Sequence, residues 1–201
     1  MASKILGIAG SPRRGSNTEV LVRAALEAAE AEGAESRVFA LAEKRVEPCR
    51  ACHACGKGVE WCIIDDDMTE GLYEDFVWAD AIVFGTPVYM GGMSAQLKAV
   101  IDRTRPLWIR DNALQNKFAS AIAVGEGRWG GQELARQSIL HFCMNHGMVL
   151  LEPACLPYGS WEVCGQAAEP GDVREDQFAM KAARGLGRRL ARTTLVVSEE
   201  G

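Results

Sequence analysis

KILGIAG (4–10), SPRRGSNT (11–18) and EVLVRAALEAAEAEG (19–33) follow one another without a break, and this stretch decides the fold. The first piece is a short apolar run of the kind that forms a strand buried on both faces. The last places Val20, Leu21, Ala24, Ala25 and Ala28 on one helical face and offers Gly33 as a stop. Between them lies a loop of small and hydroxylated residues. A strand, a loop and a helix in that order make the opening half of a βαβ unit, and the rest of the chain repeats the alternation. SRVFAL (36–41), AIVFGTPVY (81–89), KFASAIAVGE (117–126) and MVLLEPACL (148–156) read as four further strands. Helices are expected around Met68 to Trp78 and over 94–104, 131–147 and 174–193. Five strands alternating with five helices predict an α/β fold, a five-stranded parallel sheet covered on both faces. The right-handed crossover rule makes 2-1-3-4-5 the economical strand order. The 201 residues suit one domain, 1–201, with a cysteine-rich loop at about 48–63.

In such a sheet, ligands sit beyond the carboxyl ends of the strands, so the loops after strands one, three and four are where chemistry is expected. In GSPRRGSNT (10–18), glycines let the backbone approach an anion, and Ser11, Ser16 and Thr18 carry hydroxyl donors. Arg13 adds charge, and the helix start adds free amides and a positive dipole end. The loop reads as a phosphate cradle, although Ser16 with Glu19 also makes a capping box. Its glycines fit neither the dinucleotide fingerprint nor the P-loop. TPVYMGGMS (86–94) offers Pro87, Tyr89, Met90 and the pair Gly91–Gly92, which suits a planar heterocycle. VGEGRWGGQE (124–133) carries four glycines, Gly125 among them, and Trp129.

PCRACHACGKGVEWC (48–62) places Cys49, Cys52, Cys55 and Cys62 in the spacing C-x2-C-x2-C-x6-C. Three thiols at two-residue gaps match the compact run that ligates a cubane [4Fe–4S] cluster. Zinc, helped by His53, and a reduced or disulfide-bearing loop remain alternatives. Seven cysteines without an export signal fit metal ligation or redox work in a reducing, cytoplasmic compartment better than a disulfide framework. The net charge of −5 argues against nucleic-acid binding and against a polybasic membrane patch, and no apolar run approaches the roughly 20 residues of a membrane helix.

Taken together, GSPRRGSNT, the cysteine run followed by DDDM, GTPVYMGGMS, LKAVIDR and GGQE resemble the NADPH-dependent FMN reductase superfamily of flavodoxin-like fold, and within it the iron–sulfur flavoproteins. The likeness runs over about residues 1–155. It implies that Ser11, Arg13, Ser16, Asn17 and Thr18 take the FMN phosphate, and that Pro87, Val88, Tyr89, Met90 and Gly91, with Gly125, lie along the isoalloxazine. It also implies that the four cysteines hold a cluster that air can remove, close to the FMN of a neighbouring chain in a homodimer or homotetramer. The function expected is an FMN-dependent oxidoreductase that passes electrons between a reduced donor, FMN and the cluster. NAD(P)H or a ferredoxin-like partner is the expected donor, and the flavin, rather than a side chain, is expected to carry the chemistry. Alternatives are a cluster-free NAD(P)H-dependent FMN or quinone reductase, and a flavin-binding redox sensor with a zinc or disulfide loop.

The remaining polar residues receive structural readings. Cys143 and Cys155 read as buried packing residues, His141 as a surface imidazole and His146 as a cation near a helix C-terminus. Asp65, Asp66 and Asp67 read as a solvated helix-start run, and Lys98 with Asp102 as an i,i+4 pair. Arg184, Arg188, Arg189 and Arg192 read as a solvated stripe opposite Phe178, Ala182, Leu186 and Leu190. Exposed aromatic residues near the expected flavin edge, Trp108, Trp129 and Tyr89, add to the expectation of self-association. Trp161 and Cys164 find no place in this scheme.

Overall fold

The computed structural model of the protein describes residues 2–153 and 163–199, with side chains up to Val196. Its sheet is built from β1 (Lys4–Ala9), β2 (Glu35–Ala40), β3 (Ala81–Pro87) and β4 (Phe118–Gly125), paired in parallel in the order β2-β1-β3-β4. The fifth position beside β4 is shared by two segments. β5 (Val149–Leu150) pairs with Phe118 and Ala119, and β6 (Val163–Gln166) pairs in parallel with Ile122 to Gly125. The expected order 2-1-3-4-5 therefore holds, but the fifth strand is not the continuous run 148–156. Leu151 N makes a last bond to Ala119 O at 2.9 Å before the chain leaves the ladder, and Ala154 to Glu162, including Cys155 and Trp161, lie outside the described residues.

Alternation along the strands divides the core. Ile5 and Ala9 of β1, Ala81 and Val83 of β3, and Ile122 and Val124 of β4 face the layer made by α1 (Asn17–Glu30) and α6 (Gln177–Glu199). Leu6, Ile8, Ile82, Phe84, Ala119 and Ala121 face the opposite layer. That layer comprises α2 (Tyr73–Trp78), α3 (Ala95–Asp102), α4 (Arg105–Ile109) and α5 (Gln132–Asn145). On the α1 side the strands carry glycine where the helix presses closest. A Cβ at Gly85 would lie 2.5 Å from Val22 Cγ2 and 2.9 Å from Thr18 Cγ2, which would push the start of α1 off the sheet. On α6, Ala182, Leu186 and Leu190 are fully buried as read, whereas Phe178 is half-buried under the guanidinium of Arg128.

Two expectations for polar residues are corrected. Asp66 is buried and accepts hydrogen bonds from Arg103 Nη1, the Glu47 amide and the Met68 amide, so the aspartate run is not a solvated charge cluster. Asp67 is held by Lys44 at 2.6 Å, and that hydrogen bond, with another from the Arg45 amide, keeps its carboxyl below the usual range. His146 is 3% exposed, and burial lowers its pKa, so it is neutral rather than a helix-terminal cation. The Thr104 hydroxyl donates to the Ile101 carbonyl and therefore accepts from His146 Nε2–H at 2.9 Å, which leaves Nδ1 as a buried acceptor without a partner among the described residues. His141 is exposed, as expected. Cys143 is a buried thiol whose pKa desolvation pushes up to about 12, consistent with packing alone.

Candidate functional site

Four loops meet at the carboxyl edge of the sheet, and each is held there by hydrogen bonds, several of them between residues far apart in the chain. The first begins where Gly10 N donates to Gly85 O at 2.8 Å, and it turns at Gly15, whose φ of +58° suits glycine. It ends at Ser16, which caps α1 by accepting from the Glu19 amide at 3.2 Å. The backbone N–H groups of Ser16, Asn17 and Thr18 have no protein acceptor among the described residues. They open toward the cleft at the positive end of the 14-residue helix, which is the physical basis of an anion site.

The loop after β3 is tied back to the first. Ser94 Oγ donates to Gly10 O at 2.5 Å and accepts from Leu97 N, so that one side chain both caps α3 and braces the cradle. Val88 N donates to Val124 O, extending the β3–β4 pairing by one step. Tyr89 and Gly92 then close a two-residue turn through reciprocal 3.0 Å bonds, with Met90 at φ +48° and Gly91 at φ +74°. Met90 is fully exposed at the tip. Glycine at 131 lets the third loop approach this turn, because a Cβ there would stand 3.1 Å from Gly91 Cα.

Gln132 organises that third loop from a fully buried position. Its Oε1 accepts from Gly130 N at 2.6 Å, and its Nε2 donates to Gly127 O at 2.7 Å and to Gly165 O at 3.2 Å. The last contact fixes β6, and β6 brings in a fourth loop, 167–172, that the sequence reading did not use. Asn17 clamps this loop: Oδ1 accepts from Gly171 N (2.7 Å) and Val173 N (3.2 Å), and Nδ2 donates to Glu169 O (2.7 Å). The Asn17 side chain is thus spent on structure, and only its backbone N–H remains for a ligand.

The resulting cleft has a volume of about 270 Å³ and is lined by Ser11, Arg13, Ser16, Asn17, Thr18, Pro87, Val88, Tyr89 and Gly125 from the expected set. Val124, Glu126, Ala167, Ala168 and Pro170 complete it. Met90 and Gly91 do not line it. Of the completing residues, Ala167, Ala168 and Pro170 were missed because VCGQ (163–166) is too short and too glycine-interrupted to announce a strand. The signal available was the Pro170–Gly171 turn directly after it.

A second cavity lies elsewhere and shares no lining residue with the first. Cys49, Cys52, Cys55 and Cys62 all border it, with Ile63, Ile64, Arg103, Arg105 and Pro106, around about 130 Å³. The loop winds tightly enough to put Ala51 and His53 in the left-handed region, and Trp61 stacks on Tyr73 with ring centroids 5.1 Å apart. All four thiols are free. No three His, Cys, Asp or Glu side chains among the described residues converge on a point the size of one metal ion. The four cysteines have in common that they border this one cavity. Cys55 accepts from Arg105 Nη1 at 3.0 Å, and Cys49 from the Ala51 amide at 3.5 Å. Cys164, by contrast, is buried on β6, away from this cavity.

Comparison with known proteins agrees with this geometry. A profile of the family described as NADPH-dependent FMN reductase matches residues 3–161. An iron–sulfur flavoprotein of Methanocaldococcus jannaschii is 40% identical over 98% of this chain and 100% of its own length. Another from Methanosarcina thermophila is 46% identical over 74% of this chain and 76% of its own. Among solved structures, an NAD(P)H:quinone oxidoreductase from Methanothermobacter marburgensis superposes with a TM-score of 0.68 over 94% of this chain and 96% of its own, at 18% identity, a likeness of fold. With the sheet order, the loop-lined cleft and the four-cysteine loop in place, the chain belongs to the NADPH-dependent FMN reductase family as an FMN-dependent oxidoreductase of the iron–sulfur flavoprotein group.

Proposed function

We propose that the chain binds FMN in the cleft at the carboxyl edge of the sheet and a [4Fe–4S] cluster on Cys49, Cys52, Cys55 and Cys62, and that it moves electrons between them. The observation that carries this reading is that all four cysteines border one cavity of their own, while the expected flavin loops border another. Bound FMN supplies the exchange of a hydride pair for single electrons, and a bound cluster supplies one-electron transfer. The chain's own residues do the rest. Ser11, Ser16 and Thr18, the amides at the start of α1 and Arg13 hold the phosphate, and Pro87, Val88, Tyr89 and Gly125 border the ring. No side chain in the cleft is required as an acid or base.

A reduced nicotinamide is the electron donor in this proposal, with a ferredoxin-like protein as the alternative donor or acceptor. The chain works as a homodimer or homotetramer. Support for assembly comes from Trp108, Trp129 and Tyr89, which are 54%, 60% and 41% exposed, with Met90 fully exposed beside Tyr89. Among the described residues no helix is long and apolar enough to cross a membrane.

Metal, sulfide and flavin analysis of anaerobically purified protein tests the reading. About four iron and four sulfide per chain with one FMN is the expected result. FMN with no iron would promote the cluster-free FMN or quinone reductase, and FMN with stoichiometric zinc would promote the redox sensor.

A further inference from the structure

The segment DRTRPLWIR (102–110), where α3 turns into α4, grips the cysteine loop at three places with three arginines. Arg103 is almost wholly buried. It donates to the Asp66 carboxylate, to Glu47 O at 3.3 Å just before the first cysteine, and to Ile64 O at 3.2 Å just after the last. Arg110 donates to Val59 O at 2.9 Å and lies over the Trp61 ring, 4.8 Å from its centroid. These two guanidiniums bind backbone, an acid and a ring. Arg105 differs from both, because its Nη1 points at a sulfur, Cys55 Sγ, at 3.0 Å. Arg105 and Asp102 line the cavity bordered by the four thiols. Asp102 is already paired with Lys98 at 2.5 Å.

Four thiolates around a cubane leave a net negative centre, and accepting one electron makes it more negative still. A guanidinium hydrogen-bonded to one of the ligands therefore stabilises the reduced form more than the oxidised form, and hydrogen bonds to sulfur are among the determinants of cluster potentials. We infer that Arg105 is the positioning residue of the cysteine site: its guanidinium orients Cys55 and raises the tendency of the bound cluster to accept an electron. The inference rests on the cluster assignment proposed above. Asp102, on the same cavity wall with the opposite charge, acts in the opposite sense. Reduction itself is one electron taken up by the cluster from a donor, with no bond made or broken at Arg105.

The test is a redox titration of anaerobically reconstituted Arg105→Gln, Arg105→Lys and Asp102→Asn proteins. Cluster reduction is followed by low-temperature electron paramagnetic resonance, and iron content and circular dichroism are recorded alongside. Arg105→Gln is expected to shift the reduced-to-oxidised ratio at a fixed ambient potential about tenfold toward oxidised, or about 59 mV for one electron. Arg105→Lys should recover most of that shift, and Asp102→Asn should move the ratio toward reduced. A residue that merely propped the loop would move both variants in the same direction or neither. If the wild-type protein loads four iron and Arg105→Gln titrates with it, or if Arg105→Gln and Asp102→Asn shift together, the role of Arg105 is overturned. If the wild-type protein takes up no iron, the cluster assignment itself is overturned, and this inference falls with it.

Discussion

Ser16 and Thr18 show how much a pair of small side chains is asked to do. Ser16 caps α1, Thr18 is buried against the sheet beside Gly85, and both border the cleft at the helix's positive end. In the proposed phosphate site, replacing both by Ala would remove two hydroxyl partners for a dianion, each contributing about 1.5–3 kcal/mol. FMN affinity is expected to fall at least about a hundredfold, read by flavin fluorescence on adding FMN to apoprotein. An unchanged affinity would mean that the phosphate binds elsewhere. The cap loss adds about 1 kcal/mol of destabilisation, which urea unfolding separates from the binding effect. His146 gives a pH signature of a different kind. Burial depresses its folded pKa, so the unfolded chain binds the extra proton first. Its contribution to stability is full above the ordinary histidine pKa and is lost as pH falls below it. The slope can reach about 1.4 kcal/mol per pH unit. Between about pH 7.5 and pH 5.5 the wild type should therefore lose more unfolding free energy than His146→Gln, and equal losses would remove His146 from the acid response. The cationic reading of His146 failed because sequence places it at a helix end without showing that α4, through Thr104, closes over that end.

At the scale of elements, β1, α1, β3 and β4 were legible because each is a long apolar run or a clear helical stripe bounded by glycine or proline. The fifth strand was not, because hydrophobicity in MVLLEPACL says that a segment is buried without saying with which partner. Only Val149 and Leu150 pair, and the upper half of that sheet position goes to the unassuming VCGQ. The Asp66–Arg103 pair was invisible for a related reason, since 37 residues separate its members and nothing local distinguishes Asp66 from Asp65 or Asp67. Both side chains are almost wholly buried, so removing the carboxylate strands a buried guanidinium and releases the Glu47 and Met68 amides. Asp66→Ala is expected to cost about 3–5 kcal/mol in denaturant unfolding. In addition, limited proteolysis should cut within 46–64 while α1 and the sheet stay protected. A loss below about 1 kcal/mol would show that the loop is held without this pair.

For the whole molecule, three of the four loops that border the cleft and the four cysteines that border the second cavity could be picked out in the sequence, but not the arginines behind those cysteines. Assembly is the property that the chain in isolation leaves most open to measurement. The exposed tryptophans and the Tyr89–Met90 tip should be covered in solution, so light scattering at micromolar concentration should report a multiple of the 21.8 kDa chain. A monomer mass would count against electron passage between neighbouring subunits.

The clamp of Asn17 on Gly171 and Val173 joins a residue near the beginning of the chain to a segment more than 150 positions later. A ribosome releases these two parts far apart in time. The strand core and the first helix can organise early, but the fourth wall of the cleft arrives only when residues 163–173 have emerged, and α6, packed along α1, follows it. The cleft can therefore be completed only after residues 163–173 have been made, and a nascent chain stalled before that point presents the start of α1 without its fourth wall.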